Sequence, residues 1–135
     1  MKHLIFHGSV ILFIGLLCGA PFGRAIVRGE SEAAVRARRA AHTGVVMGGV
    51  LLLALAAVVL QLQLSTTAVS VLVWSSIASG YGFALALPVG AYYGYRGLKS
   101  EPPFINRVVY LGNIVGVVGS LVGTVLLIVG AYAAL

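Results

Sequence analysis

The amino-acid sequence predicts an all-α integral membrane protein, a bundle of four transmembrane helices. Of its 135 residues, 60% are apolar and only 9% are charged, and the mean hydropathy is +1.06. In a typical soluble domain about a quarter of the residues are charged. The charged residues leave three uncharged runs, 3–23, 40–95 and 108–135. A transmembrane helix needs roughly 20 apolar residues, so the outer runs accommodate one helix each and the central run two. Residues 1–135 are therefore predicted to form a single domain.

The first predicted helix covers residues 4–22. It is expected to end near Pro21 and Gly23, because neither residue type favours the continuation of a helix. The apolar amino-terminal run is similar to a signal peptide, but the segment Cys18-Gly19-Ala20-Pro21 has no good small-residue cleavage site. We therefore expect this run to be retained as a transmembrane helix.

The second and third predicted helices lie in the long central run. The second covers residues 33–62 and follows Ser31, a residue type that caps the first turn of a helix. A cluster of glutamine, serine and threonine residues at 61–67 marks the next turn. The third helix covers residues 67–95 and contains Pro88, which is expected to kink it.

The third helix is expected to leave the bilayer at a belt of aromatic residues, a common feature of membrane interfaces. The belt consists of Tyr92, Tyr93 and Tyr95. The loop that follows contains Pro102 and Pro103, which exclude a helix there. The fourth predicted helix covers residues 106–135.

The basic residues predict an orientation in the membrane. Lysine and arginine total nine, against three acidic residues, and eight of the nine lie in the loops 24–39 and 96–107. Basic loops remain on the cytoplasmic side, so both termini are expected outside a bacterial-type inner membrane. The chain has no basic block on a soluble surface, so we expect lipid and no nucleic acid as a partner.

The 18 glycines predict close helix contacts, because small residues let helix backbones approach each other in a membrane. The fourth helix carries one such stripe, formed by Gly112, Gly116, Gly119 and Gly123. These glycines could pack helices within one chain, or they could leave faces on which copies of the chain assemble into a homo-oligomer. The sequence does not choose between the two.

Several kinds of chemistry are excluded by composition. The chain has no aspartate, and its three glutamates all lie in the loops, so no pair of carboxylates is available for acid–base catalysis within the bilayer. The nucleophile elbow, the phosphate-binding loop and the haem-attachment motif are absent. The single cysteine, Cys18, is interpreted as a packing residue. A non-enzymatic membrane subunit or small-solute transporter remains an alternative, although a transporter would be expected to show a buried carboxylate or an inverted repeat.

His42 is the main candidate ligand. It lies about one turn inside the basic end of the second helix, where a polar side chain needs a partner. It could hydrogen-bond a lipid headgroup or a neighbouring carbonyl. It could also bind the iron of a haem, with Arg38 and Arg39 pairing with the propionates. His7 is predicted to lie most of the bilayer thickness away, so the two histidines are not expected to share a metal site.

Three further polar residues in the third and fourth helices could reach a cavity. They are Tyr81, Tyr110 and Asn113. Such residues often form hydrogen bonds between transmembrane helices, and they are also the candidates for contact with a substrate. Both interpretations remain open from the sequence.

Short motifs along nearly the whole chain resemble those of a known family. They are Phe6-His7-Gly8, the segment Arg39-Ala40-Ala41-His42-Thr43-Gly44, Gly48-Gly49 and Arg96-Gly97-Leu98. They resemble the hydroxylaminobenzene mutases and are also similar to the styrene oxide isomerases, small four-helix membrane isomerases. The length of the chain favours the mutase branch.

The resemblance implies an enzyme that rearranges hydroxylaminobenzene, a small aromatic hydroxylamine, to 2-aminophenol by intramolecular hydroxyl transfer. It also implies a homotrimer with haem b near the subunit interfaces, held by His42, with the ferric iron acting as a Lewis acid. Candidate catalytic residues are Asn113, Tyr81 and Tyr110. The chain departs from the isomerase pattern at Gly48, where that branch has asparagine. Because the amide that would position an epoxide is missing, epoxide isomerisation is kept as the alternative activity.

Overall fold

The computed structural model describes residues 1–135 and contains helices and turns but no strands. The helices, in chain order, are α1 (Lys2–Leu17), α2 (Gly19–Val27), α3 (Glu32–Val58), α4 (Thr66–Tyr93) and α5 (Phe104–Tyr132). A short 3-10 turn, Val59–Gln61, extends α3. With α1 and α2 taken together, four helical segments are long and apolar enough to cross a membrane. The predicted all-helical class with four such segments is confirmed.

The first helical segment extends beyond its predicted end. The helix is interrupted at Cys18 and resumes as α2, which continues to Val27. The expected end near Pro21 and Gly23 is therefore wrong. Pro21 is the third residue of α2, and a proline in the first turn of a helix costs little because N–H groups there have no partner within the helix.

The starts of α3 and α4 follow local sequence signals. The side chain of Ser31 accepts a hydrogen bond from the backbone N–H of Ala34, at 3.3 Å, so the predicted cap is confirmed. Ser65 caps α4 in the same way through the N–H of Ala68. The polar turn between the two helices therefore lies where the glutamine, serine and threonine cluster predicted it.

Helix ends in the carboxyl-terminal half differ from the predicted bounds by up to three residues, and α5 ends at Tyr132 where residue 135 was predicted. α4 ends at Tyr93, followed by Gly94 with φ of 77°, a conformation that glycine adopts without strain. α5 begins at Phe104, directly after Pro103. Pro88 lies inside α4, as expected from the sequence.

α1 and α3 pack with their backbones in contact. A Cβ atom added at Gly15 would lie 2.5 Å from the backbone nitrogen of Val46, and one added at Gly49 would lie 2.5 Å from that of Leu12. Any side chain at these positions would push the helices apart. The glycines of the first half of the chain therefore hold α1 against α3.

α5 packs almost entirely on α4, through the glycine stripe identified in the sequence. All four stripe residues, Gly112, Gly116, Gly119 and Gly123, are buried. A Cβ atom at Gly119 would lie 2.5 Å from the carbonyl oxygen of Ser75 on α4. The stripe thus serves packing within the chain, the first of the two alternatives.

The two glycine-packed pairs join through larger apolar side chains. The fully buried residues of this core come from α1, α3 and α4, and include Leu4, Ile11, Val45 and Leu72. Because α5 lies mainly on α4, a cavity remains between α3, α4 and α5.

Candidate functional site

His42 is held by a hydrogen bond to the first helix. Its Nδ1 atom lies 2.8 Å from the carbonyl oxygen of Gly15, and the side chain is partly buried. A carbonyl oxygen can only accept, so Nδ1 must carry the proton in this contact. In the neutral imidazole the lone pair is then on Nε2, the nitrogen available to a metal ion.

The break in the first helix forms the surroundings of His42. A Cβ atom at Gly19 would lie 3.3 Å from Cε1 of the imidazole, so a larger residue would crowd the ring. Phe22 of α2 lies stacked beside the imidazole, with centroids 6.2 Å apart and planes at 20°. Insertion of a side chain against the backbone of a helix is a known cause of helix breaks, and here the break at Cys18 lies three residues after Gly15.

The two predicted arginines have different environments. Arg38 forms an ion pair with Glu30 at 2.8 Å and also contacts the carbonyl oxygen of Pro21 at 3.4 Å. Arg39 is exposed and forms no ion pair, and its guanidinium carbon lies 5.6 Å from the centroid of the Phe22 ring. Arg39 is therefore the arginine that is free to bind an anionic group.

These residues fit a haem in their chemistry. His42 presents Nε2 as a possible axial ligand, Phe22 supplies an aromatic surface beside it, and Arg39 supplies an unpaired cation of the kind that binds a propionate. The three main cavities of the chain are lined by none of these residues. One chain thus offers one side of a haem site at this position, outside its three main cavities.

A cavity of about 440 Å³ lies between α3, α4 and α5. Its lining is apolar apart from a few hydroxyl groups, and it includes Gly44, Gly48, Phe83, Ser76 and Thr124. A Cβ atom at Gly48 would have only one neighbour within 4 Å, Cγ2 of Ile11 at 3.9 Å, so this position has room for a side chain. The cavity size lies within the range of small-molecule sites.

Tyr81 lies on the other side of α4 from this cavity's lining and contacts α1. Its hydroxyl oxygen is 2.9 Å from Nδ1 of His7. This contact joins α1 to α4 and gives the His7 side chain a polar partner. No group of three or more metal-ligating side chains occurs in the chain. His7, itself in α1, contacts Tyr81 of α4, whereas His42 of α3 contacts Gly15 of α1.

Asn113 connects α5 to the loop after α4. Its Nδ2 atom donates to the carbonyl oxygens of Arg96, at 3.0 Å, and Gly97, at 3.4 Å. Tyr110 is partly buried on the same helix and its hydroxyl has no hydrogen bond within the chain. The structure therefore does not bring Tyr81, Tyr110 and Asn113 together in one site, and their catalytic role stays a prediction.

Several residues that the structure places at these sites were not predicted from the sequence. Gly15 and Phe22 surround His42, and the hydroxyl groups of Ser76 and Thr124 line the cavity. Phe22 follows a helix break that the sequence did not predict, so its position had no local signal. The hydroxyl residues share no motif, and only the packing of α3, α4 and α5 brings them together.

Comparison with known proteins places the chain in a family. No curated protein and no solved structure matches it. A family model described as styrene oxide isomerase matches residues 1–132, which is nearly the whole chain and includes His42, Gly48 and all four long helical segments. The chain therefore belongs to the styrene oxide isomerase family.

Proposed function

We propose that this member of an isomerase family converts hydroxylaminobenzene to 2-aminophenol in the membrane, with a ferric haem b held by His42. The observation that carries the proposal is the hydrogen bond from His42 Nδ1 to the carbonyl oxygen of Gly15, at 2.8 Å. Such a bond orients an imidazole and increases its basicity, as is usual for metal-binding histidines. Arg39, which has no ion-pair partner, supports the proposal as the propionate-binding cation.

The proposed reaction is an isomerisation that needs no external oxidant or reductant. The N–O bond of hydroxylaminobenzene breaks heterolytically, the oxygen returns to the ortho carbon, and the proton lost from that carbon passes to the nitrogen. A ferric haem supplies a Lewis acid for the negative charge that develops on the departing oxygen. The protein must keep the oxygen near the ring, because escape to water would allow addition at the para position.

The cavity between α3, α4 and α5 supports this requirement. Its mostly apolar lining disfavours water, and the Phe83 ring offers a surface for an aromatic substrate. The hydroxyl groups of Ser76 and Thr124 make no hydrogen bond within the chain, so they are free to bind the nitrogen or oxygen of the substrate. Since the cavity lies across α3 from His42, the proposal requires that copies of the chain assemble so that the two surfaces meet.

Gly48 favours the mutase reaction over epoxide isomerisation. It lines the cavity, at the position where the isomerase branch that the motifs resemble has asparagine. Without that amide the chain has no donor at this point to position an epoxide oxygen. Epoxide isomerisation of the styrene oxide type remains the second candidate, because the family match favours it.

Product analysis of the purified protein tests the proposal. Protein in detergent is incubated with hydroxylaminobenzene, and separately with styrene oxide, and products are separated by chromatography. We expect 2-aminophenol from the first substrate, little phenylacetaldehyde from the second, and a Soret band in the absorption spectrum. A colourless protein that forms neither product would contradict the proposal and favour a non-enzymatic membrane subunit.

A single substitution tests the assignment of Gly48. The variant Gly48→Asn is expected to fold, since a Cβ atom there has only one neighbour, at 3.9 Å. We expect it to gain turnover of styrene oxide and to lose part of its mutase activity. An unchanged ratio of the two activities would show that position 48 does not select the reaction.

We also propose that the chain forms a homotrimer in an inner membrane, with the loops 24–39 and 96–107 in the cytoplasm. Native mass spectrometry gives the number of copies. Alkaline phosphatase fused after Leu135 should be active if the carboxyl terminus lies outside, whereas an inactive fusion together with an active cytoplasmic reporter would reverse the orientation.

A further inference from the structure

A second group of imidazole and aromatic side chains lies near the start of α1. His3 and His7 are four residues apart and therefore share one face of the helix. Their rings are stacked, with centroids 6.2 Å apart and planes at 16°. The Trp74 ring on α4 lies against both, with centroid distances of 5.1 Å to His3 and 6.1 Å to His7. These three side chains have no part in the proposed reaction.

Tyr81 orients one member of the pair. Its hydroxyl oxygen lies 2.9 Å from Nδ1 of His7. When Nδ1 carries the proton and donates to that oxygen, the lone pair of His7 is on Nε2. Metal-binding histidines commonly donate their other N–H to an oxygen in this way. His7 is partly buried and held by Tyr81, whereas His3 is exposed, so its ring is free to turn.

We propose that His3 and His7 form a binding site for a divalent transition-metal ion of the zinc type. His3 and His7 are four residues apart, the spacing at which two histidines on one helix bind zinc in known sites. With metal–nitrogen bonds of about 2.0 to 2.1 Å, the two ligand nitrogens must lie roughly 3 Å apart, which a turn of the exposed His3 ring allows. Water completes the coordination, and the Tyr81 hydroxyl oxygen accepts a hydrogen bond from the Nδ1–H group of His7.

The composition of the cluster determines which ions it selects. It provides neutral nitrogen ligands and no carboxylate. Imidazole suits zinc, copper and nickel, whereas calcium and magnesium prefer oxygen ligands. We therefore expect binding of Zn²⁺ and no competition from a large excess of Mg²⁺.

The site is separate from His42 and does not depend on the proposed function. His42 contacts Gly15, which follows His7 by eight residues in α1, a rise of about 12 Å along the helix. A bound ion would also stabilise the proton on Nδ1 of His7 and so strengthen the hydrogen bond between α1 and α4.

Isothermal titration calorimetry with Zn²⁺ tests the site, using tag-free protein in nanodiscs of zwitterionic lipid. We expect saturable binding of one ion per chain. Both His3→Ala and His7→Ala should weaken it by at least about tenfold, because each removes one of two protein ligands. His42→Ala and Cys18→Ser, which remove the third histidine and the only thiol, should leave this binding unchanged.

Three outcomes would overturn the proposal. The first is wild-type protein with no saturable binding of Zn²⁺. The second is wild-type affinity in His7→Ala, since His3 would then bind the ion without its proposed partner. The third is an equal loss of affinity in His42→Ala. Tyr81→Phe provides a further measurement, because it keeps both ligands and should weaken binding only severalfold, through loss of the hydrogen bond to His7.

Discussion

His7 and His42 are both bonded through Nδ1 to a neighbouring helix, but their partners differ in kind. His7 contacts the hydroxyl group of Tyr81, at 2.9 Å, and His42 contacts the backbone carbonyl of Gly15, at 2.8 Å. A hydroxyl group can donate or accept, so it leaves the position of the imidazole proton open. A carbonyl can only accept, and it therefore places the proton of His42 on Nδ1.

This difference fixes the tautomer of His42 and leaves the tautomer of His7 variable. In its neutral form His42 presents a lone pair on Nε2 before any ligand arrives, and it lies beside the unpaired cation Arg39. His7 must first adopt the tautomer with its proton on Nδ1. We therefore expect changes around His42 to have larger effects on haem than changes around His7.

The largest expected effect is that of His42→Ala. Removal of the proposed axial ligand should abolish most haem binding and the formation of 2-aminophenol, while the glycine-packed helix pairs keep the chain assembled. Haem content by pyridine haemochrome and product by chromatography measure the two losses. His7→Ala is the matched control and should retain most haem. Equal haem loss in both variants, or full activity in His42→Ala, would contradict the assignment.

Gly15→Val should have the next largest effect, because it displaces the carbonyl that bonds His42. The added Cβ atom would lie 2.5 Å from the backbone nitrogen of Val46, so α1 and α3 must separate, at a cost of about 1–3 kcal/mol for overpacking. We expect a lower thermal midpoint and partial loss of haem. Gly23→Val is the control, since a Cβ atom at Gly23 has no neighbour within 4 Å. Equal thermal midpoints and equal haem content in the two variants would show that Gly15 does not position His42.

Arg39→Gln should have a smaller effect, confined to haem affinity. Arg39 forms no ion pair, so its loss should leave the fold intact and weaken haem binding severalfold. Arg38→Gln instead breaks the 2.8 Å ion pair with Glu30, and should lower thermal stability more than haem affinity. The two variants are compared by haem titration and by thermal denaturation. If Arg38→Gln weakened haem binding and Arg39→Gln instead lowered thermal stability, Arg38 would be the propionate partner.

The smallest expected effect is that of Tyr81→Phe, which removes the hydrogen bond to His7 and keeps the aromatic ring. A side-chain hydrogen bond contributes about 0.5–1.5 kcal/mol, so the thermal midpoint should fall slightly. Haem content should not change, because His42 keeps its carbonyl partner. Mutase activity in this variant also tests the predicted catalytic role of Tyr81, and a large loss of activity without loss of haem would support it.

Local signals in the sequence predicted the helical segments, because the start and end of a helix depend mainly on residues close to them in the chain. Ser31 and Ser65 cap helices through N–H groups three residues away. The uncharged runs predicted the four long segments because charged residues are costly within a bilayer. The one clear failure was the end of the first segment, where Pro21 has little effect because it lies in the first turn of α2.

The sequence by itself determined the helices, the charged loops and the residue types available for chemistry. Only the tertiary structure decided which faces meet: His42 with Gly15, Tyr81 with His7, and Asn113 with the loop after α4. The physical reason is that a transmembrane helix is apolar on the lipid side as well as on the packed side. Hydrophobic periodicity, which reveals the buried face of a soluble helix, therefore carries little information here. The contacts are determined by where small residues allow two backbones to approach.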